Sequence, residues 1–527
     1  MRGLLTTSAR LRTATIAVLV ALVAVGCGSA SESSTVSTTT VASTLGSPNI
    51  LVVMTDDQEP AFLNRTLMPK TMKLVADRGT LFTDNVVSSP ECCPSRATFL
   101  TGQYGHNDGV MSNSPGYPAL EDSETTLPAW LQQAGYRTAL VGKFLNGYLH
   151  REGPAPGFDD WRVVKAESYY DYAIKRNNGY QTFGQQRDDY VTSVLTATTQ
   201  RLIRDYAGED QPFFLWLAEI APHSDHGASR GPCTDAALAL PRDLRAVSKM
   251  PSRLPRSFNE AKISDKPGAI GRLPPLNHSH IVKAEQRMRC REAALLDVDR
   301  GVDEIFRTLR DSGELDRTVV IFTSDNGYLL GQHRVPKGKA FPYEESIGVP
   351  LAIRVPNRYL DGGATGQVGD LVANVDLAPT ILDLAHARPC DASGSCRVTD
   401  GRSLVPLIEG RRQGWPPDRA IPIELNDPRA SLRFPCTYTG VRTATGILVR
   451  YTRQRDPESR ECEPLAHSQV EQYDLRTDPA ELRNLATSNS RSAIRLRHDL
   501  SRRLRQLRGC AGIKERDPRP ASGNYCD

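Results

Sequence analysis

The sequence predicts an α/β fold: a doubly wound, mostly parallel sheet with a smaller C-terminal α+β subdomain. Runs such as 50–54, 213–218 and 319–322 consist almost entirely of large apolar residues, as do strands that are buried on both faces of a parallel sheet. Helical segments separate these runs, and this alternation builds a sheet with helices on both faces. We therefore expect a large α/β domain over 47–411 and the subdomain over 412–527.

The helices follow from apolar residues at helical spacing and from their end signals. Residues 127–134 are amphipathic and are followed by Gly135, a common residue just past a helix end. A longer apolar stripe predicts a helix over 281–311. Residues 227–278 are rich in Pro, Arg and Ser and predict a long irregular excursion over the surface. The other expected elements are helices near 68–79, 190–206 and 376–382, and strands near 81–83, 137–141, 349–353, 421–425 and 445–451.

Length and composition narrow the class of protein. A chain of 527 residues is too long for one ordinary domain, and its charged and apolar fractions are those of ordinary soluble proteins. The net charge is only +4, and three of the positive charges, Arg2, Arg10 and Arg12, lie in the first twelve residues. This balance gives no support to a nucleic-acid partner.

The N-terminus predicts export. Residues 1–27 begin with basic residues and continue in the apolar run 13–25, which is too short to span a bilayer comfortably. The end of this segment resembles a bacterial lipobox, which implies lipidation of Cys27, although Ala24 stands where Leu is usual. Residues 28–46 are Ser/Thr-rich and predict a flexible tether. We expect a protein lipid-anchored on the outer face of the bacterial cytoplasmic membrane, or otherwise secreted, with no other membrane contact.

Oxygen-bearing side chains follow two of the predicted strands. Asp56 and Asp57 come directly after the first strand, and Asp325 and Asn326 come after the strand 318–324. Ligands of open α/β sheets bind at the carboxyl ends of the strands. Carboxylate and amide oxygens suit Ca²⁺ or Mg²⁺, so the sequence predicts a metal site here, with substrate completing the coordination. The alternative for Asp56 and Asp57 is a loop that caps a helix.

Two basic side chains follow other strands of the same sheet. Lys143 comes just past the strand 137–141, and His223 lies beyond the strand that ends at Ala218. Both are expected at the edge that holds the acids, where His223 is a candidate general acid. The alternatives are a solvated loop lysine and a loop histidine without a chemical role.

One motif suits a reactive residue at the start of a helix. Cys92 and Cys93 precede Pro94, which is pre-set for a first helical turn, and Arg96 follows within that turn. A cation and a helix N-terminus together favour an anionic centre. The alternative is a buried cysteine pair at a helix start. The run Cys-Cys-Pro-Ser-Arg, continued by Leu-Thr-Gly at 100–102, resembles the signature of the sulfatase family.

The resemblance extends over nearly the whole chain after the tether. It rests on 55–58, 92–96, 142–143, 222–223, 324–327, Lys339 with 343–344, and the tail 473–485. It implies an alkaline-phosphatase-like fold and a hydrolase that acts on a sulfate monoester. It also implies that Ca²⁺, or Mg²⁺ in its place, is bound by Asp56, Asp57, Asp325 and Asn326.

The same resemblance implies the catalytic roles. A formylglycine-generating enzyme would convert Cys92 to formylglycine (3-oxoalanine), whose hydrate attacks sulfur and leaves a covalent sulfate intermediate. Arg96 would hold the hydrate, and Lys143 and Lys339 would clamp the sulfate oxygens. His223 or Lys339 would protonate the departing alcohol.

One segment departs from the family pattern. Many arylsulfatases carry Gly-Lys-Trp-His-Leu-Gly where residues 142–147 of this chain read Gly-Lys-Phe-Leu-Asn-Gly, so the usual histidine is Leu145. His106, which lies close to the signature in sequence, is a candidate replacement. His106 and Asn146 are also candidate substrate-binding residues.

The motif variants more closely resemble the N-acetylglucosamine-6-sulfatase branch, which implies a sulfated sugar or glycan, or another small sulfate ester, as substrate. A phosphonate or phosphodiester monoesterase is the enzymatic alternative, because relatives with the same motif cleave phosphorus esters. A non-catalytic, surface-anchored sulfoglycan-binding protein is the alternative if Cys92 stays a thiol.

The remaining cysteines predict disulfides. Without Cys27 and Cys92 the chain has nine cysteines, and exported proteins with so many usually form disulfides. Pairing in sequence order leaves Cys93 as a free, buried thiol, although sequence alone does not fix the connectivity. The expected pairs are Cys233–Cys290, Cys390–Cys396, Cys436–Cys462 and Cys510–Cys526.

Overall fold

The computed structural model describes residues 46–527, apart from 149–152, 227–230, 251–253, 269, 365, 428–434 and 456–460. The predicted export signal, Cys27 and nearly all of the tether lie outside the described residues. Residues Ser47–Asp527 form one compact unit. Among the helices of the described part, none combines the length and the hydropathy needed to cross a bilayer.

The strands and helices of the described part are numbered in chain order. The strands are β1 (Asn49–Thr55), β2 (Thr80–Phe82), β3 (Asn85–Val86), β4 (Arg137–Gly142), β5 (Asp160–Val164), β6 (Tyr172–Arg176), β7 (Tyr180–Phe183), β8 (Phe213–Ala218), β9 (Thr318–Ser324), β10 (Leu351–Arg354), β11 (Gln367–Val368), β12 (Val372–Ala373), β13 (Ala420–Asn426), β14 (Pro435–Thr443), β15 (Gly446–Arg455) and β16 (Cys462–Asp474). The helices are α1 (Pro69–Leu74), α2 (Cys92–Thr101), α3 (Gly105–Asp108), α4 (Leu127–Gln133), α5 (Val191–Tyr206), α6 (Pro241–Val247), α7 (His278–Asp311), α8 (Glu344–Ile347), α9 (Leu377–Leu384), α10 (Val405–Ile408) and α11 (Arg491–Leu507).

The large sheet has the strand order β11-β2-β10-β9-β1-β8-β4-β5-β6-β7. Its centre, from β9 through β1, β8 and β4 to β5, is parallel, and antiparallel strands are added on both sides. The four predicted strands that precede candidate site residues are therefore neighbours. The predicted doubly wound, mostly parallel sheet is confirmed.

Both faces of this sheet are covered. In β1, Leu51 and Val53 belong to a buried cluster with α1, α5 and α7. Ile50 and Val52, which point the other way, belong to a second cluster with α2, α4 and α9. Because successive strand residues point to opposite faces, a strand between two helical layers must be apolar throughout. This explains why the sequence of β1 does not alternate between apolar and polar residues.

The predicted smaller subdomain contains an antiparallel sheet in the order β13-β14-β15-β16. Helix α11 packs on this sheet, and its Leu500 and Leu507 share a buried cluster with Ile421 and Ile423 of β13. The first strand of this sheet begins at Ala420. The domain boundary between residues 411 and 412 stays a prediction.

The predicted disulfides are confirmed. The structure pairs Cys233 with Cys290, Cys390 with Cys396, Cys436 with Cys462, and Cys510 with Cys526. Cys92 and Cys93 are free and buried.

The predicted irregular excursion over 227–278 is wrong in one part, because it contains the helix α6. Pro241 occupies the first turn of α6, where its fixed φ favours a helix, and Val247 at the other end is fully buried. The helix α7 also begins earlier than expected, because the side chain of Asn277 accepts a hydrogen bond from the backbone N–H of His280.

Candidate active site

The carboxyl ends of four adjacent strands supply most of the candidate residues. Thr55 of β1 pairs with Ser324 of β9, so Asp56 and Asp325 leave the sheet side by side. On the other side of β1, the end of β8 pairs with the end of β4. Lys143 therefore leaves the sheet next to the loop that carries His223.

Helix α2 brings the signature residues to this edge. It begins at Cys92, and every one of its residues is buried. It ends at Thr101, and Gly102 follows, where a φ of 65° and the close approach of Thr399 and Ala378 favour glycine. Cys92 and Arg96 lie four positions apart on one face of the helix.

Arg96 ties the strand ends together. Its Nε donates to Asp325 Oδ2 at 2.8 Å, and its Nη2 donates to Asp56 Oδ2 at 3.2 Å. Its Nη1 donates to the backbone carbonyl of Lys143 at 2.9 Å. A fully buried guanidinium requires such partners, and its rigid fork fixes their relative positions. Arg96 therefore holds β1, β4 and β9 in register at the site.

Two lysines converge on the same centre. Lys143 Nζ lies 2.6 Å from Asp56 Oδ2, and Lys339 Nζ lies 2.5 Å from Asp57 Oδ1. Lys339 Nζ also donates to Cys92 Sγ at 2.6 Å. Although burial opposes protonation, the neighbouring carboxylates raise the pKa of both lysines well above its usual value. Both side chains are therefore cations that face Cys92.

Cys92 itself is a neutral thiol in this setting. Burial and the charge of Asp56 raise the pKa of Cys92 well above its usual value. Its Sγ lies 3.4 Å from Asp56 Oδ1. A thiolate nucleophile is therefore disfavoured at this position.

The acids leave room for a cation. Asp57 adopts a φ of 72°, and its carbonyl accepts a hydrogen bond from the buried Arg291. Asp57 Oδ1 accepts from Asn326 Nδ2 at 2.6 Å, but Asp57 Oδ2 and Asn326 Oδ1 are buried without a hydrogen-bond partner. Asp56, Asp57 and Asp325 each place a carboxylate oxygen in one cluster with Cys92 Sγ, all within 4.8 Å of one another.

The charges of this cluster favour a metal ion. Burial and the nearby Asp56 raise the pKa of Asp325, because three carboxylates share a small buried volume. Oxygen donors from carboxylates and one amide are the set that Ca²⁺ and Mg²⁺ prefer. The residues present therefore fit a hard divalent cation.

His223 borders this cluster. Its Nδ1 donates to the carbonyl of Ser224 at 2.8 Å, which leaves Nε2 facing Asp57 Oδ2 at 3.9 Å. Burial lowers the pKa of His223. His223 therefore presents Nε2 to the centre.

Sequence reasoning missed two residues beside Lys143. Glu167 Oε1 lies 2.9 Å from Lys143 Nζ, and Glu167 Oε2 lies 2.9 Å from His226 Nδ1. Glu167 follows β5, which pairs in parallel with β4, so recognition of β5 would have placed an acid at this edge. His226 comes three residues after His223, and no pattern marked it.

Two cavities adjoin at His226. A cleft of about 410 Å³ is lined by Asp57, His223, Lys339, Glu91 and Asp427 among others. A smaller cavity of about 290 Å³ is lined by Lys143, Asn146, Glu167, Lys165 and His226 among others. Burial and the charge of Asp427 raise the pKa of Glu91 to about 7.

The structure does not bring His106 into the site. Its Nδ1 lies 2.8 Å from both oxygens of Glu424, and its Nε2 lies 3.0 Å from the carbonyl of Cys510. These partners belong to the C-terminal part of the chain. Helix α2 lies between Cys92 and His106 and carries His106 away from the site. The hypothesis that His106 replaces the histidine missing at Leu145 is therefore wrong. Leu145 is itself buried in the apolar cluster on that face of the sheet.

Asn146 lies closer to the site. Its side chain lines the smaller cavity beside Lys143, and its Oδ1 is buried without a hydrogen-bond partner. Its backbone carbonyl accepts from the backbone N–H of Tyr117 at 2.7 Å. A role in substrate binding stays a prediction for Asn146.

Comparison with known families agrees with this site. The sulfatase family profile matches residues 48–387, and a profile described as N-sulphoglucosamine sulphohydrolase, C-terminal, matches residues 331–509. The first range contains the large sheet, and the second contains the antiparallel sheet of the C-terminal part.

Curated relatives include sulfatases of animals. N-acetylglucosamine-6-sulfatases of Capra hircus and Homo sapiens are each 31% identical, over 91% and 89% of this chain and 86% of each relative. An extracellular sulfatase SULF-1 homolog of Drosophila melanogaster is 32% identical over 70% of this chain. The chain spans only 32% of that relative and 49% of a Caenorhabditis elegans homolog.

Solved structures share the fold. A complex described as holding its substrate D-glucosamine-2-N,6-O-disulfate superposes with a TM-score of 0.68, at 22% identity, over 88% of this chain and 98% of that one. The phosphonate monoester hydrolase of Agrobacterium radiobacter superposes with a TM-score of 0.64, at 21% identity, over 88% and 95%. The fold is alkaline-phosphatase-like, as the sequence resemblance implied. With a family profile matched along most of its length and a basic and acidic cluster around Cys92, the chain belongs to the sulfatase family.

Proposed function

We propose that this protein is an exported, calcium-assisted sulfatase that hydrolyses a sulfate monoester on a sulfated sugar. The observation that carries the proposal is the convergence of Arg96, Lys143 and Lys339 on Cys92 beside the acidic cluster. A sulfate ester brings negative charge that these cations would neutralise.

The nucleophile would come from Cys92 after conversion to formylglycine by a maturation enzyme. The raised pKa of the Cys92 thiol supports this step, because an unmodified cysteine would stay protonated and weakly nucleophilic here. When formed, the aldehyde hydrate supplies a hydroxyl group as the nucleophile. Asp325 and Arg96 lie next to this position and would orient that hydroxyl group.

The remaining side chains bind the sulfate group and transfer protons. Lys143 and Lys339 would bind the sulfate oxygens, and Glu167 holds Lys143 in place from its other side. The departing alcohol would take a proton from Lys339, or from His223 when the His223 ring is protonated on both nitrogens, because Nδ1 keeps its proton on the Ser224 carbonyl. Both side chains face Asp57 across the cleft. This assignment needs no histidine at position 145.

Asp56, Asp57, Asp325 and Asn326 would hold Ca²⁺, with Mg²⁺ as the alternative. Asp57 Oδ2 and Asn326 Oδ1 are buried and accept no hydrogen bond from the described residues, which supports a bound cation at this place. Such an ion would stabilise negative charge on the sulfate oxygens.

The names of the relatives support a sugar substrate, such as N-acetylglucosamine 6-sulfate within a glycan. The four disulfides support an oxidising compartment, in agreement with the predicted export signal and lipid anchor at Cys27. A phosphonate monoester hydrolase is the second candidate, because a protein of that name shares the fold.

Two measurements test the proposal. The first is the mass of the tryptic peptide that contains Cys92, from protein made in its own host, together with its reaction with a hydrazide probe. The second compares the hydrolysis rates of N-acetylglucosamine 6-sulfate, an aryl sulfate and an aryl phosphonate monoester. We expect an aldehyde at Cys92 and faster cleavage of the sulfates.

The matched variants are Cys92→Ala and Cys93→Ala, since both thiols are buried and neighbouring. Activity should fall by about a thousandfold or more in Cys92→Ala and persist in Cys93→Ala. An intact, alkylatable thiol at Cys92 in every molecule would overturn the enzymatic proposal and favour a binding protein. Faster cleavage of the phosphonate would favour the second candidate.

A further inference from the structure

Helix α11 is strongly basic and lies away from the proposed active site. Its sequence, Arg491–Leu507, contains six arginines and one histidine against a single acid, Asp499. The side chain of Ser490 caps its N-terminus by accepting from the N–H of Ala493. Ala493, Leu500 and Leu507 are buried against the antiparallel sheet.

The exposed side of α11 carries a row of cations, which we name the arginine stripe. Its members, Arg491, Arg495, His498, Arg502 and Arg505, recur at intervals of four and three residues, and all are exposed. At 3.6 residues per turn they fall within an arc of about 80°, opposite the buried Ala493, Leu500 and Leu507. The stripe is about 20 Å long at 1.5 Å per residue.

Arg502 of the stripe pairs with Asp499 within the helix, and the other five arginines divide into two groups. Arg503, on one flank, binds Asp418 at 2.8 Å, and Arg497, on the other, donates to the carbonyl of Ala486 at 2.5 Å. These side chains fasten the helix to the protein. By contrast, no carboxylate among the described residues lies within ion-pair distance of Arg491, Arg495 or Arg505.

We propose that the arginine stripe binds a sulfated polysaccharide. The planar guanidinium group can donate two parallel hydrogen bonds to two oxygens of one sulfate or carboxylate group, and a row of guanidinium groups along one face fits a linear polyanion. A membrane surface fits less well, because the apolar residues of α11 face the protein core and only Ile494 among its large apolar side chains is exposed. The choice of this polymer, rather than another polyanion, rests on the proposed function.

The distance between the arginine stripe and the active-site cleft favours a polymer as the partner. Arg503 contacts Asp418 just before β13, whereas Asp427 just after β13 lines the proposed active-site cleft. Seven residues of extended strand separate these points by about 20 Å. A single sugar cannot reach both places, so the stripe would retain a chain while one of its residues occupies the cleft.

The test measures binding of the purified protein to heparin, and separately to vesicles of phosphatidylglycerol mixed with phosphatidylcholine. The variant R491Q/R495Q/R505Q removes three unpaired cations of the stripe. The control R201Q/R204Q/R310Q removes three exposed arginines of α5 and α7 and changes the net charge equally. We expect the stripe variant to bind heparin about tenfold more weakly and the control to bind as wild type does.

Added salt should weaken heparin binding by the wild type more steeply than by the stripe variant, because fewer counterions are displaced. Hydrolysis of a monosaccharide sulfate should be equal in all three proteins, whereas KM for a sulfated polymer should rise only in the stripe variant. Equal loss of heparin binding in the control, no heparin binding by the wild type, or binding to the vesicles in preference to heparin would each overturn the proposal. Heparin binding requires no turnover, so the absence of sulfatase activity would refute the proposed function without deciding this one.

Discussion

Two of the buried groups of charged side chains among the described residues differ in how their oxygens are used. The first is the cluster around Cys92. The second, which we name the junction cluster, comprises Asp376, Asp400 and Arg419 and lies where the α9 region meets the C-terminal part of the chain. Asp376 uses both oxygens twice: Oδ1 accepts from Arg419 at 2.6 Å and from Arg402 N at 2.8 Å, and Oδ2 accepts from Arg419 at 2.6 Å and from Ala373 N at 2.8 Å.

The cluster around Cys92 contains equally buried charges but leaves acceptors unused. Asp57 Oδ2 and Asn326 Oδ1 have no hydrogen-bond partner in the described part of the chain. Lys339 contacts Cys92 Sγ, and Arg96 and Lys143 both contact Asp56 beside it. An unsatisfied buried acceptor is costly and persists where a ligand will use it. Burial and charge are therefore common to the two clusters, and the unused acceptors distinguish the cluster around Cys92 from the junction cluster.

The largest effect on stability should come from the junction cluster. In Asp376→Asn the buried Arg419 loses the closer of its two charged partners and keeps Asp527 at 3.3 Å. Breaking a buried ion pair costs about 3–5 kcal/mol. We expect the free energy of unfolding to fall by about this amount, measured by urea denaturation, while the activity of the folded fraction stays unchanged. The control is Asp383→Asn, which changes an exposed residue of α9 whose side chain accepts a hydrogen bond from Ser403. An equal effect of both variants would contradict the structural role of Asp376.

The reverse pattern is expected for Asp57→Asn. Loss of this charge should reduce sulfatase activity by about a hundredfold to a thousandfold, as for other groups that stabilise charge in a transition state. The free energy of unfolding of the metal-free protein should fall by less than in Asp376→Asn, because Lys339 loses its contact with Asp57 but keeps Asp56 at 3.8 Å. Added Ca²⁺ should raise the melting temperature of the wild type but not of Asp57→Asn.

The control for Asp57→Asn is Asp235→Asn, which changes an exposed acid that also lines the cleft. It should keep both the activity and the response to Ca²⁺. Full activity of Asp57→Asn, or a loss of stability as large as that of Asp376→Asn, would remove the distinction between the two clusters.

The centre of the site could be predicted from the sequence, because its residues directly follow apolar runs that are typical of parallel strands. Residues after β1, β4, β8 and β9 had to meet, since the carboxyl ends of parallel neighbours share one edge of the sheet. Glu167 was missed because β5, with the sequence Asp-Trp-Arg-Val-Val, mixes polar and apolar residues and was not recognised as a strand of the sheet.

His106 shows the opposite error. It lies only fourteen positions after Cys92 in sequence, but the ten residues of α2 carry the chain about 15 Å away from the site. Two residues that are close in sequence therefore lie far apart in space when an extended helix separates them. The partners Glu424 and Cys510 are more than three hundred residues away, and no local pattern reveals them.

His106 adds a titratable contact near the junction cluster. Although burial opposes protonation, the hydrogen bond and charge of Glu424 raise the pKa of His106 to about 9. Because the pKa of His106 is higher in the folded protein than in the unfolded chain, protonated His106 stabilises the folded state. This stabilisation is complete below pH ~6.5, the pKa of an unfolded histidine, and is lost as the pH rises through about 9. His106→Gln should therefore lower the free energy of unfolding by about 2 kcal/mol at pH ~6 and by little at pH ~9.5.

The control for this comparison is His280→Gln, an exposed residue in the first turn of α7. Its effect on the free energy of unfolding should be small and equal at both pH values. If His106→Gln were destabilising by the same amount above pH ~9 as below, the contact would act through packing and not through charge.

Glu167 is the residue that tests the comparison most closely, because both of its oxygens are paired although it borders the site. One oxygen holds Lys143 and the other holds His226, each at 2.9 Å. Glu167→Gln should lower kcat/KM by about tenfold, since a charged partner of Lys143 becomes neutral. The matched control is Glu209→Gln, an exposed acid remote from the cleft, which should leave kcat/KM unchanged.

The leaving group identifies the route by which Glu167 acts. If it positions Lys143 on the sulfate, esters with good and poor leaving alcohols should lose rate equally in Glu167→Gln. If it acts through His226 as a proton donor, esters with poor leaving groups should lose more, because they need the proton in the transition state. Lys143 contacts Asp56, which in turn contacts Cys92, so we expect Glu167 to act through Lys143. Esters with good and poor leaving alcohols should then lose rate equally. Unchanged kcat/KM for both esters would show that a fully paired carboxylate at this edge is structural, as Asp376 is in the junction cluster.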